Sequence, residues 1–190
     1  MRLIPPSPVC NDAEFSADGL ERLWLSRTVE RKVGAPLNGH VGLIIGLNPS
    51  RAGAALEDTD HTITKEIEFA RRWGWSGFWM TNLFTCIETY SAKLKNLSFE
   101  TAVGAYGGAV LQAVIPLAPE IVVCWGANVP KHKTHRISAV CEMIRVLKRP
   151  EARVLCFGLS KGGHPVHPLY LPYETVMVPF ALPEPKSRRD

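Results

Sequence analysis

The stretch that most constrains this chain is an apolar run from Val41 to Ile45 that passes abruptly into Gly46-Leu47-Asn48-Pro49-Ser50. Continuous hydrophobic residues are typical of a parallel strand covered on both faces, and the small, turn-forming residues predict its end. Ligands of open α/β sheets bind at the carboxyl ends of such strands, so polar side chains there are placed for chemistry. Pro49 keeps Asn48 out of the helical region and so holds its amide in one orientation. The alternative is an Asx turn that satisfies only local backbone.

Three more core strands are predicted, separated from one another by helical patterns. They lie at 77–83, 121–125 and 153–157. The first helix is capped by Thr62 or Asp60, the second follows Ser98 and the third covers 134–147. Strands that alternate with helices predict a three-layer αβα sandwich around a central, mainly parallel four-stranded sheet. We expect one domain over residues 1–190, with a loose arm at 1–18, an edge strand within 20–33 and a polar tail at 181–190.

The composition is that of an ordinary globular protein, with 46% hydrophobic and 21% charged residues. No apolar run approaches the roughly 20 residues that span a bilayer, and the first residues lack the basic start and apolar core of a signal peptide. We therefore expect a cytoplasmic protein with no membrane partner, and we expect a monomer. Five cysteines without CxxC spacing predict neither disulfides nor a metal site, and no cofactor is expected.

The net charge of +4 is mild, but the basic residues are unevenly spread. They gather at Lys131, Lys133 and Arg136, at Arg145, Lys148, Arg149 and Arg153, and in the tail at Lys186, Arg188 and Arg189. Such groups are compatible with solvated helix faces or with a surface that binds nucleic-acid phosphates.

Each predicted core strand ends in a polar signature. In chain order the signatures are Gly46-Leu-Asn-Pro49, Thr81-Asn-Leu-Phe84, Trp125-Gly-Ala-Asn128 and Gly163-His-Pro-Val-His-Pro168. The set resembles the uracil-DNA glycosylase superfamily, which has GxNPG or GQDPYH after its first core strand, an Asn ending the second, a WG-A segment after the third and HPSPLS after the fourth. The resemblance spans about residues 41 to 170. More narrowly, the chain is similar to uncharacterised bacterial and phage domains with LNPS and GHPxHPLYL motifs.

The resemblance implies a catalytic role for Asn48 and for one histidine. Asn48 matches the Asn whose amide positions a water against the anomeric carbon as the glycosidic bond loosens. His164 matches the His that stabilises charge on the departing base. The loop holds one more residue than HPSPLS, so His167 competes for this role. The two histidines have two other interpretations: they are turn residues, or they are part of a metal site.

The resemblance also implies how a base and its DNA are held. Asn82 matches the Asn that reads the pairing edge of an extruded base. The other implied substrate-binding residues are Gly46, Leu47, Pro49, Ser50 and Phe84, and the implied DNA-binding residues are Arg51, Lys161, Gly163 and Leu169. Leu169 or Leu171 would fill the space of the flipped nucleotide, although buried core is the simpler interpretation of either leucine.

One departure from the family pattern suggests a larger substrate. Ser50 replaces the Gly or Tyr that follows the proline, and small residues follow at 52–55. The wall that excludes substituents at pyrimidine C5 is then missing. Asp58 and Asp60 can activate water, or they are loop acids and helix caps.

These observations predict a DNA glycosylase that removes a bulky, hypermodified, phage-type pyrimidine, in DNA repair or in phage defence. One alternative is a hydrolase or transferase that acts on free modified nucleosides or nucleotides. Another is a catalytically silent module that binds modified DNA.

Overall fold

A seven-stranded mixed sheet organises the protein, which we describe from a computed structural model over residues 1–7, 9–30, 39–50, 52–53, 59–88 and 90–184. The strands are β1 (Asp12–Phe15), β2 (Arg22–Thr28), β3 (Val41–Gly46), β4 (Gly77–Asn82), β5 (Glu120–Val123), β6 (Arg153–Cys156) and β7 (Val178–Pro179). Their order in the sheet is β1-β2-β4-β3-β5-β6-β7.

The four predicted core strands are β3 to β6, and neighbours among them run parallel. The prediction of a four-stranded sheet is wrong, because antiparallel strands extend it at both edges. The strand expected within 20–33 is β2, but it lies between β1 and β4 and not at an edge. Its final predicted residues, 31–33, lie outside the described residues.

The N-terminal segment is attached to the sheet, contrary to the expected loose arm. It contains β1, and two tryptophans hold the residues before β1 by their indole N–H groups. Trp24 donates to the carbonyl of Arg2 at 2.9 Å and Trp79 to that of Pro6 at 3.3 Å. Sequence periodicity missed these contacts because a segment this short shows no repeat.

Four α-helices of the described segments cover the sheet. They are α1 (His61–Arg72), α2 (Phe99–Val103), α3 (Gly107–Val114) and α4 (His135–Leu147). The buried residues of α1 pack in one core cluster with Ile44 and Val122, whereas those of α3 and α4 pack in another with Leu43 and Ile121. Consecutive residues of a strand face opposite sides, so helices cover both faces. No helix of the described residues is long and apolar enough to cross a membrane.

Local sequence explains where two of the helices begin and end. The carboxylate of Asp60 accepts a hydrogen bond from the Ile63 N–H at 2.8 Å and caps α1. The single helix expected after Ser98 is divided, because Gly104 adopts a φ of +71° between α2 and α3. Apolar spacing alone did not distinguish a continuous helix from two short ones.

The strand order creates a switch in winding direction between β3 and β5. From β3 the chain passes through α1 to β4 on one side, and it later returns to β5 on the other side. Crevices at the carboxyl ends of strands beside such a switch are the usual ligand sites of doubly wound sheets. Gly46 ends β3 at this position.

Replacing Gly42 by alanine should destabilise the fold. A Cβ atom there would overlap the ring of Trp75, which is fully buried and donates to Glu120 at 2.6 Å. Overpacking of this kind costs about 1–3 kcal/mol. Chemical denaturation should show this loss for Gly42→Ala, whereas Gly108→Ala in α3, where a Cβ meets open space, should be neutral or stabilising. Equal stability of the two variants would contradict the packing described.

Candidate functional site

Three strand ends form a row on the α1 side of the sheet. Gly46 of β3 pairs in register with Asn82 of β4, and the backbone N–H of Cys124, just beyond β5, donates to the carbonyl of Ile45. Asn82 and Cys124 therefore flank Gly46. Since adjacent strands are roughly 4.8 Å apart, the two flanking Cα atoms are separated by roughly 9–10 Å.

The missing side chain of Gly46 allows close packing in the middle of this row. A Cβ atom at Gly46 would overlap Cε of Met80 at 2.9 Å and would lie 3.4 Å from Nδ2 of Asn82. Glu66 reaches the other flank from α1, where its Oε1 lies 4.0 Å from Sγ of Cys124. We call this group of residues, Gly46, Glu66, Asn82 and Cys124, the notch.

Three buried side-chain atoms of the notch have no hydrogen-bond partner among the described residues. Both Nδ2 and Oδ1 of Asn82 are buried without a hydrogen bond, and so is Oε2 of Glu66. Asn82 and Glu66 are each 1% exposed. Buried polar groups are paired in the great majority of proteins, so unpaired ones at a strand end point to a bound group that completes them.

Glu66 is held in its neutral form near pH 7. Burial raises its pKa to about 8 from an ordinary value of 4.5, and the carboxylate of Asp60 adds to the increase. The buried guanidinium of Arg22 opposes the change without cancelling it. A protonated Glu66 donates one hydrogen bond and accepts another, unlike a carboxylate, which only accepts.

Two buried arginines of β2 hold the loop that follows Ser50. Arg22 donates to the carbonyl of Ala52 at 3.1 Å, and Arg27 donates to that of Gly53 at 2.7 Å. Burial lowers the pKa of Arg22 to about 10, and the Asp60 carboxylate opposes that decrease. Arg22 therefore remains a cation near Asp60.

Ser50 and His167 come together at Asp60. The Ser50 hydroxyl donates to the Asp60 carboxylate, which ties the end of the LNPS motif to α1. Burial lowers the pKa of His167, and the nearby Asp60 opposes the decrease. Nδ1 of His167 accepts from the backbone N–H of Leu169 at 3.3 Å, so a neutral ring carries its proton on Nε2.

Asn48 is fixed in the turn after β3, as the Asn-Pro pair predicts. Its Nδ2 donates to the carbonyl of Glu88 at 2.6 Å and to that of Pro49 at 3.2 Å. Pro49 is buried, whereas Asn48 is partly exposed. Oδ1 of Asn48 has no donor among the described residues, so it is available to a water or a ligand.

His164 lies in a different place from His167. With Gly163 it lines a groove of about 420 Å³ on the α4 side of the sheet, together with Trp125, His135 and Phe180. The two histidines of the GHPxHP motif thus serve different surfaces, and only His167 is near Asp60.

The remaining predicted residues are distributed over core and surface. Leu47 and Phe84 are buried in the core, Leu169 is partly buried and Lys161 is exposed. Trp79, a second candidate for base stacking, is also buried. The predicted positions of Arg51, Asp58 and residues 54–55 lie outside the described residues.

Two of the basic residues expected at the surface are buried inside the protein. Lys133 is fully buried and donates to the carbonyl of Leu97 at 2.7 Å. Arg136 is 5% exposed and donates to the carbonyls of Leu83 and Gly107. These two residues anchor α4 and are not available to phosphates. The expected tail cations Lys186, Arg188 and Arg189 lie outside the described residues.

Sequence analysis missed Glu66 and Arg22. Glu66 occupies the apolar face of α1, three residues after Ile63 and four before Ala70, and both neighbours are buried. An acidic residue at a core position of an amphipathic helix is the signal that identifies it. Arg22 gave no such signal, because its burial depends on contacts with distant segments.

The described residues contain no group of three or more His, Cys, Asp and Glu side chains arranged to hold a metal ion. The unpaired side-chain atoms of Asn82 and Glu66 can form hydrogen bonds with a polar group.

Glu66→Gln should stabilise the protein in a pH-dependent manner. A pKa of about 8 in the folded state, against an ordinary 4.5, makes wild-type stability fall as pH rises from 4.5 to 8. Glutamine does not ionise, so the free energy of unfolding of the variant should not fall in this way. Over this range it should increasingly exceed that of the wild type, by up to about 4 kcal/mol at the alkaline end. Thermal unfolding at pH 5 and pH 8 measures the gain. A difference that is constant with pH would show that Glu66 is ionised in the folded protein.

Residues 22–169 match the model of the family described as "Protein of unknown function (DUF1643)". The match includes the strands β2 to β6 and all four α-helices. No curated protein matches the chain. No solved structure matches it either.

Proposed function

The chain belongs to the DUF1643 family of unknown function, and we propose that it is a DNA glycosylase that removes a modified pyrimidine. The reaction is hydrolysis of the N-glycosidic bond between base and deoxyribose. Water supplies the group that replaces the base, so the products are a free base and an abasic site. In this proposal the protein is a monomer, and it acts in the cytoplasm on modified or phage DNA.

The observation that carries this proposal is the unpaired amide of Asn82 at the switch point of the sheet. An amide offers one donor and one acceptor side by side, which matches two adjacent groups on the pairing edge of a base. Both atoms are buried and unpartnered, and they lie at the strand end beside Gly46.

Asn48 and His167 supply the rest of the proposed reaction. Oδ1 of Asn48 orients a water towards the anomeric carbon, while its Nδ2 stays bonded to the Glu88 carbonyl. His167 donates its Nε2 proton in a hydrogen bond to the departing base, which gains negative charge as the bond breaks. His167 is preferred to His164 because it lies near Asp60.

The small residues after Pro49 favour a base with a bulky substituent. Ser50 and Ala52 are the first described residues of this loop, and neither has a side chain large enough to form a wall. A substituent at C5 of the pyrimidine would extend towards this loop.

The loop after β6 is suited to contact nucleic acid. Leu159 is 57% exposed and Tyr170 is 92% exposed, and the exposed Lys161 lies between them in sequence. Exposed aromatic groups stack on unpaired bases, and a lysine contacts phosphates. Tyr170 adjoins Leu169, the expected wedge, and is far more exposed than it.

A free modified nucleoside is a second candidate substrate. Lys133 and Arg136 bond to backbone carbonyls in the interior, so less positive surface remains for DNA than the sequence suggests. An enzyme that acts on free nucleosides needs the notch but no surface that binds DNA phosphates. Turnover of nucleosides without DNA would favour this candidate.

An abasic-site assay tests the proposal. The protein is incubated with unmodified DNA, uracil-containing DNA and hypermodified phage DNA, and abasic sites are then cleaved. We expect strand breaks in modified DNA alone, and losses of at least 100-fold in the rate for Asn82→Ala and for Asn48→Ala.

Asn128→Ala is the matched control, because Asn128 is exposed and lies after β5. Its rate should equal that of the wild type. Absence of breaks in every DNA would refute the glycosylase proposal, and efficient release of plain uracil would refute the preference for a bulky base.

Asn82→Leu should stabilise the protein while it abolishes activity. Leucine has a similar volume, and it removes two buried polar atoms that have no partner. Each unsatisfied buried group costs about 1–3 kcal/mol, so chemical denaturation should show a gain of about 1 kcal/mol or more. A loss of stability would mean that Asn82 is paired in the folded protein and is not kept for a ligand.

A further inference from the structure

We propose that the groove on the α4 side of the sheet binds a nucleotide, that is, a phosphate group linked through a sugar to a planar base. The inference goes beyond the proposed function and does not rest on it, because the groove and the notch lie on different faces of the sheet. It assigns a task to His164, which the proposed reaction does not use, and to the start of α4.

The groove has the size of a small-molecule site. Its volume is about 420 Å³, and sites for small ligands commonly occupy roughly 300–1,000 Å³. Four segments contribute to its lining: the residue that follows the Cys124 position at the end of β5, the start of α4, the loop after β6 and the residues after β7. These segments are far apart in sequence, so the groove exists only in the folded protein.

Part of the lining is apolar and includes an aromatic ring that solvent reaches. Phe180 is partly exposed, and its ring packs edge to face with that of Trp125 at a centroid separation of 6.0 Å. Ile137 and Pro165 add further apolar surface to the groove. A partly exposed aromatic ring among such residues favours a ligand with a planar base.

The polar part of the lining consists of groups that can donate hydrogen bonds. The side chains of His135, Ser138 and His164 have no hydrogen-bond partner among the described residues, and no described aspartate or glutamate lines the groove. An imidazole donates from one ring nitrogen when it is neutral and from both when it is charged. Several donors without an acid suit an anion, and a phosphate group offers three acceptor oxygens to them.

The start of α4 favours the same sign of charge. Residues 134–138 are the N-terminal cap and the first turn of this 13-residue helix, and the positive end of its dipole attracts an anion. The exposed Lys131 precedes this turn, and the exposed Lys161 precedes the lining residues of the loop after β6. The exposed Glu184 follows the last lining residue in sequence, so cations predominate next to the lining segments.

An unpaired donor beside the groove is independent evidence for a ligand. Trp125 lines the groove and is 1% exposed, and its Nε1 is buried without a hydrogen-bond partner among the described residues. Buried polar groups are nearly always paired. A ligand in the groove can supply the acceptor that this N–H requires.

Both imidazoles are held in place before a ligand arrives. The backbone N–H of Ser160 donates to the His164 carbonyl at 2.8 Å, and the Ser160 hydroxyl accepts from the His164 N–H at 3.2 Å. The ring of His135 lies against that of Phe99 with the centroids 4.2 Å apart. Groups that are already ordered lose less entropy when they bind a ligand.

Binding of thymidine 5′-monophosphate to the full chain, measured by isothermal titration calorimetry, tests the inference. Thymidine lacks the phosphate and inorganic phosphate lacks the base, so we expect each to bind at least about tenfold more weakly. A single-stranded thymidine tetranucleotide distinguishes the two sources of a nucleotide. Tighter binding of the tetranucleotide would assign the groove to a DNA strand, and equal or weaker binding would assign it to free nucleotides.

A matched pair of variants at Ser138 tests the location and the charge of the ligand. Ser138 is exposed, so both variants should fold as the wild type does. Ser138→Glu introduces a carboxylate and should bind thymidine monophosphate about tenfold more weakly than Ser138→Gln, which is neutral and of similar size. His135→Ala and His164→Ala should each weaken binding about tenfold. His61→Ala, an exposed histidine of α1 on the other face, should bind as the wild type does.

The indole signal of Trp125 in a ¹⁵N NMR spectrum locates the ligand directly. The chain has five tryptophans, and Trp125→Phe removes one indole signal and thereby assigns it. Saturation with thymidine monophosphate should shift this signal. The signal of Trp75, which packs on the α1 side and is bonded to Glu120, should not move.

Four results would overturn the inference. They are no binding of thymidine monophosphate, binding of thymidine or of inorganic phosphate as tight as that of the nucleotide, equal binding by Ser138→Glu and Ser138→Gln, and an unshifted Trp125 signal in the saturated protein. None of them bears on the glycosylase proposal, which the abasic-site assay tests separately with Asn82 and Asn48.

Discussion

The burial of one carboxyl group, that of Glu66, is the constraint on which the candidate site depends. A carboxylate in an apolar interior is far less stable than in water, so a buried acid must be neutral or paired. Arg22 is close enough to favour the charged form, yet Asp60 and burial together favour the neutral form. The interior beneath the strand ends therefore contains the Arg22 cation and a neutral acid, with the partly exposed Asp60 carboxylate nearby.

The two faces of the sheet use their polar residues differently. On the α4 side, Lys133 and Arg136 satisfy backbone carbonyls, and every one of these bonds connects neighbouring segments. On the α1 side, Asn82 and Glu66 retain unpaired atoms. The first arrangement stabilises the fold, whereas unpaired buried atoms reduce its stability, as does the indole N–H of Trp125 on the α4 side. The GHPxHP motif spans both faces, which is why its two histidines are not equivalent.

The core strands and the main helices could be predicted because their patterns are local. No polar residue interrupts the stretch from Val41 to Ile45, and the apolar residues of α1 and α4 recur at helical spacing. The antiparallel strands β1 and β7 were not predicted, because they have only four and two residues and gain their stability from pairing with the sheet. At the site, Asn48, Asn82 and Ser50 were identified from their positions after strands. Glu66 and Arg22 were not, since their proximity arises from segments that are over 40 residues apart.

The last strand has a consequence for how this protein meets other chains. Phe180 donates its N–H inward to the carbonyl of Val154, and successive N–H groups of a strand alternate in direction. The N–H of residue 179 would therefore face outward, but this residue is proline and has none. The open edge beyond β7 thus lacks the donor that an incoming strand would need first. A two-residue outer strand that contains a proline disfavours growth of the sheet by edge-to-edge association along this side.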